Sequence, residues 1–125
     1  MKNKISAEQS TQTVAERRES PRFFFLSRAD IKVPGHLDTY WGSVLNISRT
    51  GLSLQIRQNL QLNTRVLVNL HFMGEHQRET VEMLTAQVIW KSGERTGLKF
   101  ETPLTESSPI AQRLPHLMEE IQKRL

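Results

Sequence analysis

Two groups of residues in this sequence have the types and spacing to do chemistry. The first is Arg17-Arg18-Glu19-Ser20-Pro21-Arg22, an RRxxxR run. A guanidinium is permanently charged, planar and rich in N–H donors, so it can fork onto a phosphate, bond the O6/N7 edge of a guanine, or stack on a purine face. The second is Asn46-Ile47-Ser48-Arg49-Thr50-Gly51, a [D/N]xSxxG pattern. Its amide and hydroxyl can meet a ligand's edge, or they can bond nearby backbone in a polar turn where Gly51 supplies a permissive φ. Neither group identifies a function alone. With 11 arginines in the chain, composition gives one RxxxR spacing about once by chance.

Other chemistries have no residues to carry them. The sequence has no cysteine, which removes disulfides, thiolate nucleophiles and cysteine-held zinc or iron–sulfur centres, and fits a reducing compartment. It has no Gly-rich phosphate loop, no GxSxG and no HExxH, so catalysis has little foothold and the chain is read as a non-enzyme. His36, His71, His76 and His116 lack metal-ligand spacing, and no metal or cofactor is assigned.

At 125 residues, 37% hydrophobic and 24% charged, the chain is an ordinary globular domain with tails, and its site is expected on the surface. Lys and Arg number 17 against 13 Asp and Glu, a net +4, which favours an anionic partner without demanding nucleic acid. The positive charge is concentrated at the front. Residues 1–28 hold Lys2, Lys4, Arg17, Arg18, Arg22 and Arg28 against Glu8, Glu16 and Glu19. No window approaches the roughly 18 apolar residues of a membrane span, and residues 1–15 lack an apolar signal core, so the chain is read as cytoplasmic without membrane insertion.

The elements that must position these groups follow from periodicity. Residues 1–16 are polar and aperiodic and are expected to form a flexible N-terminal arm. From Phe23 the runs 23–33, 39–47, 51–57, 64–73, 80–93 and 95–101 are short, rich in β-branched and aromatic residues, and separated by Gly, Pro, Asn and Asp, which predicts six strands with no helices between them. Leu52, Leu54 and Ile56; Val66, Val68, Leu70 and Phe72; and Ala86, Val88 and Trp90 alternate as inward faces do. Six such strands leave exposed edges unless the sheet closes, which favours a small barrel. Ile110, Leu114, Leu117, Met118, Ile121 and Leu125 recur at helical spacing, with Ser107 and Ser108 as candidate caps. Pro115 should delay the regular helix, with a looser turn before it.

An arginine box ahead of the first strand, [D/N]xSxxG at a strand-to-strand turn, and the later runs Ala86-Gln87-Val88-Ile89-Trp90 and Gly97-Leu98-Lys99-Phe100 together resemble the PilZ domain over about residues 16 to 102. The resemblance implies an all-β fold, a six-stranded antiparallel β-barrel over 17–103, which the flexible arm (1–16) read from polarity precedes and the C-terminal α-helix (104–125) read from periodicity follows. It also implies a bacterial receptor that binds cyclic di-GMP, a second messenger, and so alters how it engages an unidentified downstream protein.

The resemblance carries nucleotide-binding roles to Arg18 and Arg22, on guanine edges and phosphates, with Arg17 as a third cation or as a partner of Glu16. It places Asn46 and Ser48 on a guanine edge, with Gly51 permitting close backbone approach. Trp90 either stacks beneath a guanine or belongs to the barrel interior. The Phe23-Phe24-Phe25 run reads as an anchor into the core, and Arg49 and Thr50 as turn surface. Binding is expected to close the arm over the barrel. The added Arg17 suits an intercalated cyclic di-GMP dimer, two nucleotides per chain. Two alternatives stay open: a basic barrel that stacks single-stranded nucleic acid on Tyr40, Trp41 and Trp90, and a protein-interaction module without a ligand.

Overall fold

The computed structural model describes residues 26–123. Arg17, Arg18, Arg22 and the Phe23-Phe24-Phe25 run lie outside the described residues. Six strands follow one another: β1 (Leu26–Lys32), β2 (Thr39–Ile47), β3 (Gly51–Gln55), β4 (Arg65–Met73), β5 (Glu79–Ser92) and β6 (Arg95–Phe100). All neighbours pair antiparallel in the order β1-β2-β3-β6-β5-β4, and β4 returns to β1 to close a barrel. Among the described strands, closure leaves no edge free for pairing with other chains, as expected because six short strands in an open sheet would expose two. Strands β2 to β6 begin and end within two residues of the runs read from the sequence. The break between β4 and β5 is a single turn over Glu75–Gln77.

The barrel interior is filled by the residues whose period is two. Leu52, Leu54, Val66, Val68, Leu70, Phe72, Ala86 and Val88 are all buried, joined by Ile31, Ile47, Leu98 and Phe100 from the remaining strands. Burying each large aliphatic or aromatic side chain contributes about 1.5–3 kcal/mol of transfer free energy, so these rows are the main source of stability. One expected member is missing. Trp90 is 41% exposed, because the register of β5 against β6 shifts between Val88 and Trp90 and turns the indole outward.

The C-terminal pattern forms two helices rather than one, α1 (Pro109–Arg113) and α2 (Pro115–Gln122). Leu114 between them is extended at φ −120 and ψ 102, the conformation that a following proline imposes while also removing an N–H from the helical ladder. Ile110, Ala111, Leu114, Leu117 and Ile121 are buried and continuous with the barrel core. Ser107 and Ser108 do not cap. The Ser108 hydroxyl accepts the Thr105 N–H at 3.0 Å, and the orphan N–H of Ile110 donates to the Glu82 carboxylate of β5 at 2.9 Å. Burial pushes that carboxyl above its ordinary range, and the Ile110 N–H offsets part of the rise.

Both helices sit at one end of the barrel. His116 Nε2 donates to the carbonyl of Ile47, the last residue of β2, at 3.3 Å. Arg113 Nε donates to the carbonyl of Met73, the last residue of β4, at 3.1 Å. Leu26 pairs with Phe72 of β4, so the chain that precedes β1 joins the barrel at this same end. No helix of the described residues is long and apolar enough to cross a membrane.

Candidate functional site

The site is made by two irregularities in otherwise regular strands. In β2 the pairing with β3 runs Val44 to Leu54 and then Asn46 to Ser53, leaving Leu45 as an extra residue. In β5 the pairing with β6 runs Val88 to Leu98 and then Trp90 to Gly97, leaving Ile89 extra. Each bulge inverts the inward-outward parity beyond it. Strict alternation from Gly42 and Val44 would aim Asn46 into the core, and strict alternation from Ala86 and Val88 would aim Trp90 there. Instead both are exposed.

Ser53 also pairs with Gly97, so Asn46, Ser53, Gly97 and Trp90 form one continuous row across β2, β3, β6 and β5. At about 4.8 Å between neighbouring strands, the row spans roughly 14 Å. Gly97 is the low point of the row. The Trp90 indole occupies the space that a Cβ on Gly97 would need, with Nε1 and Cε2 the nearest atoms.

Beyond this row the chain turns from β2 into β3 through Ser48-Arg49-Thr50. Ser48 holds the turn closed from both its backbone and its side chain. Its N–H donates to the Gly51 carbonyl at 2.8 Å, and its hydroxyl donates to the same carbonyl at 3.3 Å while accepting the Thr50 N–H at 3.3 Å. This is the serine-turn chemistry read from the sequence. The Asn46 amide, by contrast, bonds no other described residue and is presented outward. Gly51 does not take the positive φ that a turn glycine can supply. The positive-φ glycines among the described residues are Gly35 and Gly93, and Gly51 is required because a Cβ there would overlap the Leu98 carbonyl of β6.

Asn46, Ser48, Gly51 and Trp90 line a single open cleft of about 320 Å³, together with Thr50, Ser53, Ile89 and Lys99. Of the seven residues singled out from the sequence, the four that are described therefore converge. Arg17, Arg18 and Arg22 lie outside the described residues. Among the described residues that line the cleft, Lys99 carries the one formal charge and none is a carboxylate. A rim of amide and hydroxyl groups, an exposed indole and an ammonium suit a ligand with an aromatic face, hydrogen-bonding edges and negative charge.

A comparison with known protein families matches residues 16–119 to the PilZ domain. The chain belongs to the PilZ domain family. The match takes in the arginine box, the whole barrel, α1 and part of α2, and so extends past the span that the sequence motifs alone suggested. PilZ domains are in general receptor domains for cyclic di-GMP, binding a ligand rather than transforming one. No curated protein matches the chain.

Sequence reasoning missed Lys99, Ser53 and Ile89 as members of this PilZ cleft. Lys99 pairs with Gly51 across β3 and β6, a neighbourhood that exists only once the order β3-β6 is known. Arg49 was read as turn surface. It is half-buried, its backbone N–H donates to the Glu120 carboxylate at 3.3 Å, and its Nε is buried with no hydrogen-bond partner among the described residues.

Proposed function

We propose that this PilZ chain is a receptor for cyclic di-GMP that holds the nucleotide between the RRxxxR box and the β2–β3–β6–β5 cleft. The observation that carries this reading is the row Asn46-Ser53-Gly97-Trp90, which gathers an outward amide, a hydroxyl and a seated indole beside Lys99 in one opening.

Each group has a chemical task. The exposed face of Trp90 stacks on a guanine, an interaction worth about 1–3 kcal/mol per base. The Asn46 amide oxygen accepts from the guanine N1–H or N2–H₂. Ser48 uses its donor on Gly51 and accepts from the Thr50 N–H, with the Thr50 hydroxyl also 3.5 Å away, so it serves chiefly to fix the turn. Lys99 faces a phosphate as a point charge.

Arg18 and Arg22 supply the fork-shaped donors that guanine edges and phosphates need, with Arg17 as a third cation. Chain length supports their reach. Arg22 is four residues ahead of Leu26, a distance of at most about 14 Å for extended chain, and Leu26 lies at the end of the barrel where β2 runs into the Ser48 turn. A nucleotide that bridges the box and the cleft changes the surface offered to a downstream protein.

Calorimetric titration with cyclic di-GMP tests the reading and counts ligands. The intercalated dimer predicts two nucleotides per chain, and a ratio of one removes the dimer while leaving the receptor. Silence with cyclic di-GMP and binding of short single-stranded RNA would move the cleft and the basic segment to nucleic acid.

A further inference from the structure

Helix α2 is tied to the backbone of the Asn46–Gly51 segment. Asn46, Ser48 and Thr50 line the cleft, whereas the two residues between them are held by the helix: the Ile47 carbonyl accepts from His116 at 3.3 Å, and the Arg49 N–H donates to Glu120 Oε1 at 3.3 Å. His116 and Glu120 are four apart and therefore share one face of α2. One further bond holds the same turn: the Arg49 carbonyl accepts the Leu104 N–H, from the segment before α1, at 2.9 Å.

These bonds share rigid units with the cleft. The peptide plane between Ile47 and Ser48 accepts from His116 through its C=O and donates to Gly51 through its N–H. The next plane, between Ser48 and Arg49, reaches Glu120 through its N–H. A planar peptide cannot rotate on one side alone. Any ligand that fixes Ser48 and Asn46 from the cleft therefore fixes the carbonyl and N–H that α2 holds.

We infer that α2 reads out occupancy of the cleft, with Glu120 and His116 as positioning residues that act through the Ile47–Arg49 backbone. The inference rests on the receptor reading above. Coupling of this kind is reciprocal: docking α2 raises nucleotide affinity by the same factor by which nucleotide stabilises docked α2.

Hydrogen–deuterium exchange of the α2 amides in the full chain, with and without saturating cyclic di-GMP, tests it while calorimetry on the same samples follows binding. Nucleotide is expected to slow exchange in α2 by about fivefold or more. Glu120→Ala is expected to weaken nucleotide binding by a similar factor and abolish the protection, and Glu120→Gln, which keeps an acceptor oxygen for the Arg49 N–H, to restore both. Binding by the wild-type chain with unchanged α2 exchange overturns the coupling alone, as does wild-type affinity in Glu120→Ala. Failure of the wild-type chain to bind overturns the receptor reading and the coupling with it.

Discussion

Trp90 and Gly97 are cross-strand partners, and the indole fills the place of the side chain that Gly97 lacks. The glycine thus makes room for the ring and leaves Trp90 41% exposed, and the receptor reading uses that exposed surface for stacking. Replacing Trp90 with alanine removes a stacking surface without opening the core. Trp90→Ala is expected to lower cyclic di-GMP affinity about 5- to 150-fold, the range that corresponds to loss of one base stack, with a thermal midpoint close to wild type. Calorimetry and a melting curve check the two halves of that expectation.

Gly51→Ala should behave in the opposite way. Its Cβ would meet the Leu98 carbonyl, which is strand backbone and cannot swing aside as a side chain can. The expected loss is about 1–3 kcal/mol of stability. A melting curve should show a midpoint lower by several degrees per kcal/mol in a domain of this size.

Lys99 is the cation among the described residues of the cleft, and its partner is expected to be a phosphate. Lys99→Gln is expected to weaken nucleotide binding by about tenfold, as loss of a charge-assisted contact does. The variant should also depend less steeply on salt than the wild type. Titrations at low and high ionic strength measure both effects. An unchanged salt dependence would assign Lys99 to the rim.

Glu82 gives the fold a pH signature. Burial favours its neutral form, so the folded chain keeps this proton to higher pH than the unfolded chain, whose ordinary value is 4.5. Between that value and the raised folded one, the native state holds the extra proton. Stability therefore falls as pH rises through the window, and the penalty is absent below it. Glu82→Gln keeps an acceptor for the Ile110 N–H without the charge. It should melt above wild type near pH 7 and with it near pH 4.

The barrel was legible because its strands obey a period of two and its turns carry Gly, Asn and Pro, so β2 emerged from the sequence at residues 39–47 as observed. The break at Pro115 was legible for the same local reason. What the sequence hid was parity: the extra residues Leu45 and Ile89 carry no compositional mark, and each reverses the direction of its successor. A motif marks Asn46, whereas alternation alone puts Trp90 inside and only the motif's company offers it a second face. Lys99 and Glu120 were invisible for a different reason. They meet the turn only through strand order and helix packing, which no linear spacing encodes.

The central claim is that one nucleotide site joins the arginine box to the cleft, and titration of Arg22→Ala beside the wild type tests it most directly. The account predicts low-micromolar or tighter binding of cyclic di-GMP by the wild-type chain, none of GTP or single-stranded RNA, and an affinity at least about tenfold weaker for Arg22→Ala. Cyclic di-GMP affinity within about twofold of wild type in both Arg18→Ala and Arg22→Ala would contradict it.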